Sequence, residues 1–378
     1  MSSSFSVVKP SYLENTNNIV VNGNLTVNGT VSSYVDTSLN SLPENGISYI
    51  SLPATNIYGW YGGVLAPNGK IYCCPFDSDS VLIIDPVTNT ANTTTISGLG
   101  SGSGKWTGGV LASNGKIYCV PRNATSVLII DPVTNTADTT TISGLPATAN
   151  KWQSVALAPN GKIFGIPRDA TNVLIIDPVT NTVDTTSIAG LPVGTRKWSG
   201  AAVAPNGKIY CSPYGNATIL EIDPVTYATT YIQTPSSYGG TIRWSGAVLA
   251  PNGKIYFVPY SLVIPVVLVL DPLTRTTNGI PYLDYQASSL WGGVLAPNGK
   301  IYFMQYNSSN KILIINPETD TLDATSLRGL IPASYHGGVL APNGKIYGVP
   351  EVNSNILVIN TGLPKLPPWM LNPLFNKI

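Results

Sequence analysis

Read for apolar and polar positions, the chain repeats one short score. GGVLAP is a run of small and apolar residues and predicts a strand; NGK predicts a tight turn whose glycine supplies positive φ. KIYCVP predicts a second strand, and SVLIIDP a third, buried one rich in β-branched residues. DPVTNT is a turn, its proline preset for the first central position and its aspartate able to bond nearby amides. TADTTTISGLP alternates and is rich in threonine, which predicts a fourth, solvent-facing strand. No helical period occurs in the repeats.

The string A-P/S-N-G-K-I-Y/F occurs seven times, with its asparagine at 68, 114, 160, 206, 252, 298 and 343, spaced 46, 46, 46, 46, 46 and 45 residues apart. Four strands per unit of this length is one blade of a β-propeller, whereas a parallel β-helix needs shorter coils and a helical solenoid needs helices. The seventh unit stops after ILVIN (356–360), without a fourth strand, while GISYISLPATNIYGW (46–60), ahead of the first unit, aligns with TTTISGLPATANKW (139–152). The expected fold is therefore all-β: a seven-bladed β-propeller over 46–360, closed in Velcro fashion by residues 47–52 as the outer strand of the last blade. Residues 1–45 are expected to form a short N-terminal β stem or anchor, and 361–378 a Pro-rich apolar tail.

Composition narrows the function. Lys+Arg 20 against Asp+Glu 19 gives a formal charge of +1, with only 10% charged residues, which argues against nucleic acid or an anionic membrane as partner. No run of about 18 apolar residues suggests a membrane-spanning helix, and the first residues lack the layout of a secretory signal. Cys73, Cys74, Cys119 and Cys211 fit neither a disulfide framework nor a metal spacing, so structural thiols and a reducing compartment are expected.

Most chemistry-bearing residues fall on repeat positions. Asp85, Asp131, Asp177, Asp223 and Asp271 share a turn position that Asn316 and Asn360 fill in the last two blades, so a turn-forming role is expected. The seven NGK lysines read as a solvated ring on one face. Cys73, Cys119 and Cys211 interchange with Gly165, Phe257, Phe303 and Gly348, as packing positions do; Cys74 is their neighbour on the opposite face. Trp60, Trp106, Trp152, Trp198 and Trp244, followed by Leu290 and Tyr335, suit packing between blades, or else stacking on sugar rings. The position just after that ring varies: Tyr61, Thr107, Gln153, Ser199, Ser245, Trp291 and His336. Inner strands line a propeller's channel, so these seven are the candidate binding residues at its mouth. His336 is the chain's one histidine, with no acidic cluster read beside it and no nucleophile–base pair. No catalytic, cofactor-binding or metal-binding residue is expected.

The APNGKIY and VLIIDPVTNT strings resemble a family of propeller-repeat proteins from giant viruses and marine algae, across essentially all of 47–360. The second string is similar to the YVTN-type repeats of microbial surface-layer propellers, and PNGKIY resembles the P-[DN]-G-x-[IL] turn of streptogramin-lyase propellers. The lyase resemblance implies a catalytic histidine and a metal near the channel. NIVVNGNLTVNGTVSSYV (18–35) has a six-residue rhythm of Val/Leu against Asn and Gly. Such a segment buries its apolar face only against copies of itself or a larger surface, and GNLTVNGTV resembles stem segments of viral fibre and virion-surface proteins. LPKLPPWMLNPLFNKI (363–378) carries Trp369, Met370, Leu371, Leu374 and Phe375 and is expected to pack on the propeller or on a partner. Sequons stand at Asn24, Asn28, Asn92, Asn123, Asn216 and Asn307.

These readings imply a non-enzymatic virion-surface protein: a capsid-associated or fibre-head propeller on an N-terminal stem. Its expected partners are capsid proteins through the stem and a host-surface glycan or protein through the head. A homo-oligomer, three copies by resemblance to fibre stems, follows. An intracellular interaction scaffold is the other reading, with a lyase-like enzyme behind both.

Overall fold

The computed structural model describes residues 46–52, 59–236, 244–260, 266–282, 289–307 and 310–362. All of these lie in the larger of the chain's two compact units, 39–378. The readings made for the stem (1–45) and the C-terminal tail (363–378) lie outside the described residues.

The described residues form seven four-stranded antiparallel sheets, each ordered from an inner to an outer strand. Blade 1 is representative, with strands Trp60–Leu65, Ile71–Pro75, Leu82–Asp85 and Thr90–Asn92. Every inner strand is kinked against its neighbour by a register shift just after the Trp position, between Trp60 and Gly63 in blade 1. Blade 7 takes its outer strand from Ile47–Ser51, which pairs with Asn355–Asn360 from Ile47↔Ile359 to Ser51↔Asn355. The Velcro closure read from the sequence is present, and it covers the edge that the third strand of blade 7 would otherwise expose.

The fourth strand is shorter than the sequence predicts. In blade 2 it spans only Thr136–Asp138. Asp138 then ends it by accepting the amides of Thr140 and Thr141 through Oδ1, at 2.7 and 3.0 Å. Asn92, Asp184 and Asp323 stop blades 1, 3 and 6 in the same way. Hydrogen-bonding the backbone locally removes it from the ladder. Blade 4 has Thr230 at this position, and in blade 5 Asn278 precedes Gly-Ile-Pro rather than hydroxyl residues; their outer strands run on, Thr229–Gln233 and Thr276–Pro281.

The two repeat strings turn out to be halves of one joint. Asn68 Nδ2 of the first blade's NGK turn donates to Pro132 O in the DPVTNT turn of blade 2, at 2.9 Å, and Tyr72 OH donates to Asn135 Oδ1 at 2.7 Å. Asn114 and Tyr118 repeat this with Pro178 and Asn181. Asn343 and Tyr347 of blade 7 repeat it with Pro86 and Asn89 of blade 1, across the two ends of the propeller's chain. The acceptor asparagines have positive φ (52° to 54° at Asn89, Asn135 and Asn181), a conformation asparagine tolerates better than most residues. The turn aspartates behave as read: Asp85 Oδ1 accepts the amides of Val87 and Thr88, and Asn316 and Asn360 take the same role.

Each interface between blades is an apolar cluster. The Trp ring is buried in these clusters, and each indole N–H donates to a carbonyl of its own blade, as Trp60 does to Ser80 O at 2.7 Å. That burial settles the ring as packing and removes sugar stacking there. Before three of these tryptophans, Lys105, Lys151 and Lys197 point inward and donate to carbonyls of the preceding blade and its connecting loop. Burial pushes the Lys151 amine down to about 8.

The cysteines correct the sequence reading. Cys74 and Cys119 are joined in a disulfide between blades 1 and 2, while Cys73 and Cys211 are buried thiols. Successive residues of a strand face opposite sides. Cys74 therefore faces blade 2, while Cys119, at the Cys73 position one blade on, faces back. The bond spans 45 residues. Chain entropy sets its stabilisation at up to about 4 kcal/mol. Cys119→Ser should therefore lower the urea midpoint, and should steepen the slope as the unfolded chain is released; an unchanged midpoint would show that the bond adds nothing to the fold.

Candidate functional site

The seven variable residues of the inner strands divide into two kinds. Thr107, Ser199 and Ser245 are structural: each hydroxyl donates to a carbonyl of the next blade's inner strand, Trp152 O at 3.1 Å, Ser245 O at 3.0 Å and Leu290 O at 2.8 Å. The other four form a plug. Gln153 Nε2 donates to Tyr61 OH across two blades at 2.5 Å. Tyr61 stacks on His336 with ring centroids 4.0 Å apart, and Trp291 meets both rings edge-on, at 5.9 and 4.9 Å.

A second ring completes the site, and sequence reading missed it. The residue after the proline (Gln305 in blade 6) that ends each second strand is Phe76, Arg122, Arg168, Tyr214, Tyr260, Tyr306 or Glu351. These positions obey the same repeat spacing and vary while the proline before them is kept in six blades of seven; tabulating every repeat column would have found them. Trp291 joins the two rings. Besides Tyr61 and His336 it contacts Tyr214, Tyr260 and Tyr306 at 5.6, 5.2 and 5.3 Å, so one indole touches rings from blades 1, 4, 5, 6 and 7. The mouth is thus closed by aromatic side chains rather than ringed by free ones. Beneath the plug lies a cavity of about 40 Å³, walled largely by inner-strand glycines, with room for a few waters.

The charges sit on the rim. Arg122 lies over Phe76, its guanidinium carbon 5.0 Å from the ring, and its Nε donates to Asn150 Oδ1 at 2.9 Å. Arg168, only 8% exposed, pairs with Asp169 at 3.1 Å. Burial, together with Arg122 and Arg196, makes the charge on Arg168 less favourable than usual, against the help of Asp169. Between Tyr306 and Phe76 in the ring, Glu351 accepts from His336 Nε2 at 2.9 Å. Burial alone would raise the Glu351 carboxyl, but His336, Tyr306 and Arg122 outweigh it and hold it below the ordinary range. Burial pushes the Tyr61, Tyr214 and Tyr306 hydroxyls well up, so they remain neutral phenols.

Beside His336, where the sequence shows no acidic cluster, stands a single acid, Glu351, bonded to it and brought there by the strand that ends just before it. His336 Nδ1 and Gln153 Oε1 are buried and have no partner among the described residues. No group of three or more potential metal ligands occurs among the described residues.

Fold and site together define a seven-bladed propeller with one uniform face and one differentiated mouth. No protein-family model matches the sequence, and none of the curated protein sequences does. The fold is similar to that of virginiamycin B lyase from Staphylococcus aureus, with a TM-score of 0.68 at 13% identity over 82% of this chain and 98% of that one. A streptogramin B lyase structure gives 0.67 at 14%, covering 82% and 96%. The WD40 β-propeller domain of Doa1 gives 0.60 at 13%, covering 82% and 96%. At these identities the likeness is one of fold.

Trp291 is the hub of the plug. Trp291→Ala should open the mouth and destabilise the propeller by about 3–5 kcal/mol, as for a large core truncation, readable in urea unfolding; a loss below about 1 kcal/mol would mean that the rings do not depend on it.

Proposed function

We propose that this protein is a non-enzymatic binding propeller, displayed on a virion surface through its N-terminal segment, whose differentiated mouth engages a host-surface ligand. The observation that carries this reading is the division of labour between the faces. On one face the NGK and DPVTNT turns form nearly the same interblade joint at five of the seven junctions. On the other, two ring positions carry aromatic, cationic, amide and acidic side chains that differ from blade to blade. Repeats under only a folding constraint have no reason to gather their differences at one mouth; binding residues do concentrate where a rigid scaffold presents them. The Cys74–Cys119 bond fits display outside a reducing cytosol. The viral resemblance of the repeats and of GNLTVNGTV supplies the virion setting.

One observation favours an enzyme as the second reading. His336 and Glu351 form a buried hydrogen-bonded pair at the mouth, and the S. aureus lyase was also solved with quinupristin as a catalytically inactive histidine-to-alanine variant. Here the imidazole lies beneath Tyr61 and Trp291, which leaves a substrate little access to it.

Binding of the full chain to host cells separates these readings. The binding account expects saturable attachment that Tyr260→Ala weakens at least tenfold while the unfolding midpoint holds. Attachment to no host surface, with turnover of a streptogramin B lost in His336→Ala, would replace it with the enzyme.

A further inference from the structure

The rim of the mouth gathers guanidinium groups on one side. Arg122 and Arg168 are successive members of the second ring, and Arg196 joins them through Asp169, whose Oδ1 accepts the Arg196 amide at 2.7 Å while Oδ2 pairs with Arg168. Asp169 thus neutralises the Arg168 guanidinium alone, and Arg122 makes no ion pair among the described residues, Glu351 acting on it only from a distance. Arg122 is fixed by its Nε bond to Asn150 and by the Phe76 ring, yet its two terminal nitrogens have no acceptor among the described residues. A guanidinium held by its Nε and by a ring face keeps its terminal fork free for a planar anion. Holding like charges together at a partly buried site is unfavourable unless something anionic completes it.

What adjoins this arc sets the rest of the chemistry. The next members of the ring are Tyr214, Tyr260 and Tyr306, of which Tyr260 and Tyr306 are half-buried, leaving part of each amphipathic ring to solvent. A phenol offers an apolar body and a polar tip, matching a sugar ring with its C–H face and flanking hydroxyls.

We propose that the mouth binds a glycan whose terminal sugar bears a carboxylate, the carboxylate bidentate on Arg122 and the sugar ring against Tyr260 and Tyr306. This rests on the binding reading above and goes further by naming the ligand. Arg168 and Arg196 then act as a charged backing that steers the acid to Arg122, so affinity falls with salt.

The test uses the full chain on an array of sialylated, uronate-terminated, sulfated and neutral glycans, each acidic sugar also presented with its carboxylate reduced to the alcohol. The proposal expects at least tenfold tighter binding to one carboxylate class than to its reduced form. Arg122→Gln should erase that preference, and Arg122→Lys, which keeps the charge and loses the fork, should retain only part of it. The array also shows whether the carboxylate comes from a sialic or a uronic acid. Equal binding of reduced and native glycans, a preference for sulfate alone, or a preference intact in Arg122→Gln would overturn the proposal and leave the binding reading standing. So would Tyr260-dependent attachment to a host protein stripped of glycans. Binding to neither glycans nor cells would remove both.

Discussion

A tyrosine hydroxyl and an asparagine amide, reaching from one blade into a turn of the next, hold this ring in register. Apolar burial makes the blades stick, but burial is non-directional, and nearly identical sheets could slide or tilt against one another at little cost in area. The joint between NGKIY and DPVTN removes that freedom. It ties a fixed point of one blade to a backbone carbonyl and a side-chain acceptor of its neighbour. Each bond contributes only about 0.5–1.5 kcal/mol net, yet the same bond recurs around the ring and, through Asn343 and Tyr347, across the point where the chain's ends meet. At two junctions where blades diverge, other side chains take over the joint. Phe164 has no hydroxyl, and there Lys162 donates to Tyr227 OH at 2.9 Å. Between blades 4 and 5, Glu221 bridges Lys208 and Arg275.

Fixing one face frees the other. With register set by the joints and by the Trp-centred interfaces, the rim positions of the second ring can change residue by residue, while Trp291 of the first ring remains part of the packing. Thr107, Ser199 and Ser245 still serve the scaffold by bonding neighbouring inner strands. Tyr61, Trp291 and His336 fill the channel, and above them the charged and aromatic rim faces outward. A plugged, polarised mouth suits recognition better than conduction through a pore.

The fold was legible because its information is periodic: the spacing of NGK counted the blades, and the missing strand after Ile359 and Asn360 revealed the closure. The length of the outer strands was not, because it turns on whether Asp138 or Asn92 captures the next two amides, a local competition invisible in a Thr-rich alternation. The inner ring of the site was legible from its variability, but the second ring and the Glu351 partner of His336 were not, since they meet only when two adjacent strands are folded together. The disulfide was within reach. Cys74 and Cys119 stand on opposite faces of equivalent strands in successive blades, and only treating the four cysteines as a framework to be counted hid the pair.

The account stands most directly on the joint at the ring's closure. A double-mutant cycle with Tyr347→Phe and Asn89→Ala, read by urea unfolding, should give a coupling of about 0.5–1.5 kcal/mol, matched by the same cycle at Tyr118 and Asn181 between blades 2 and 3. Coupling near zero at both sites would mean that packing alone sets the ring, and that the repeated turns are only turns.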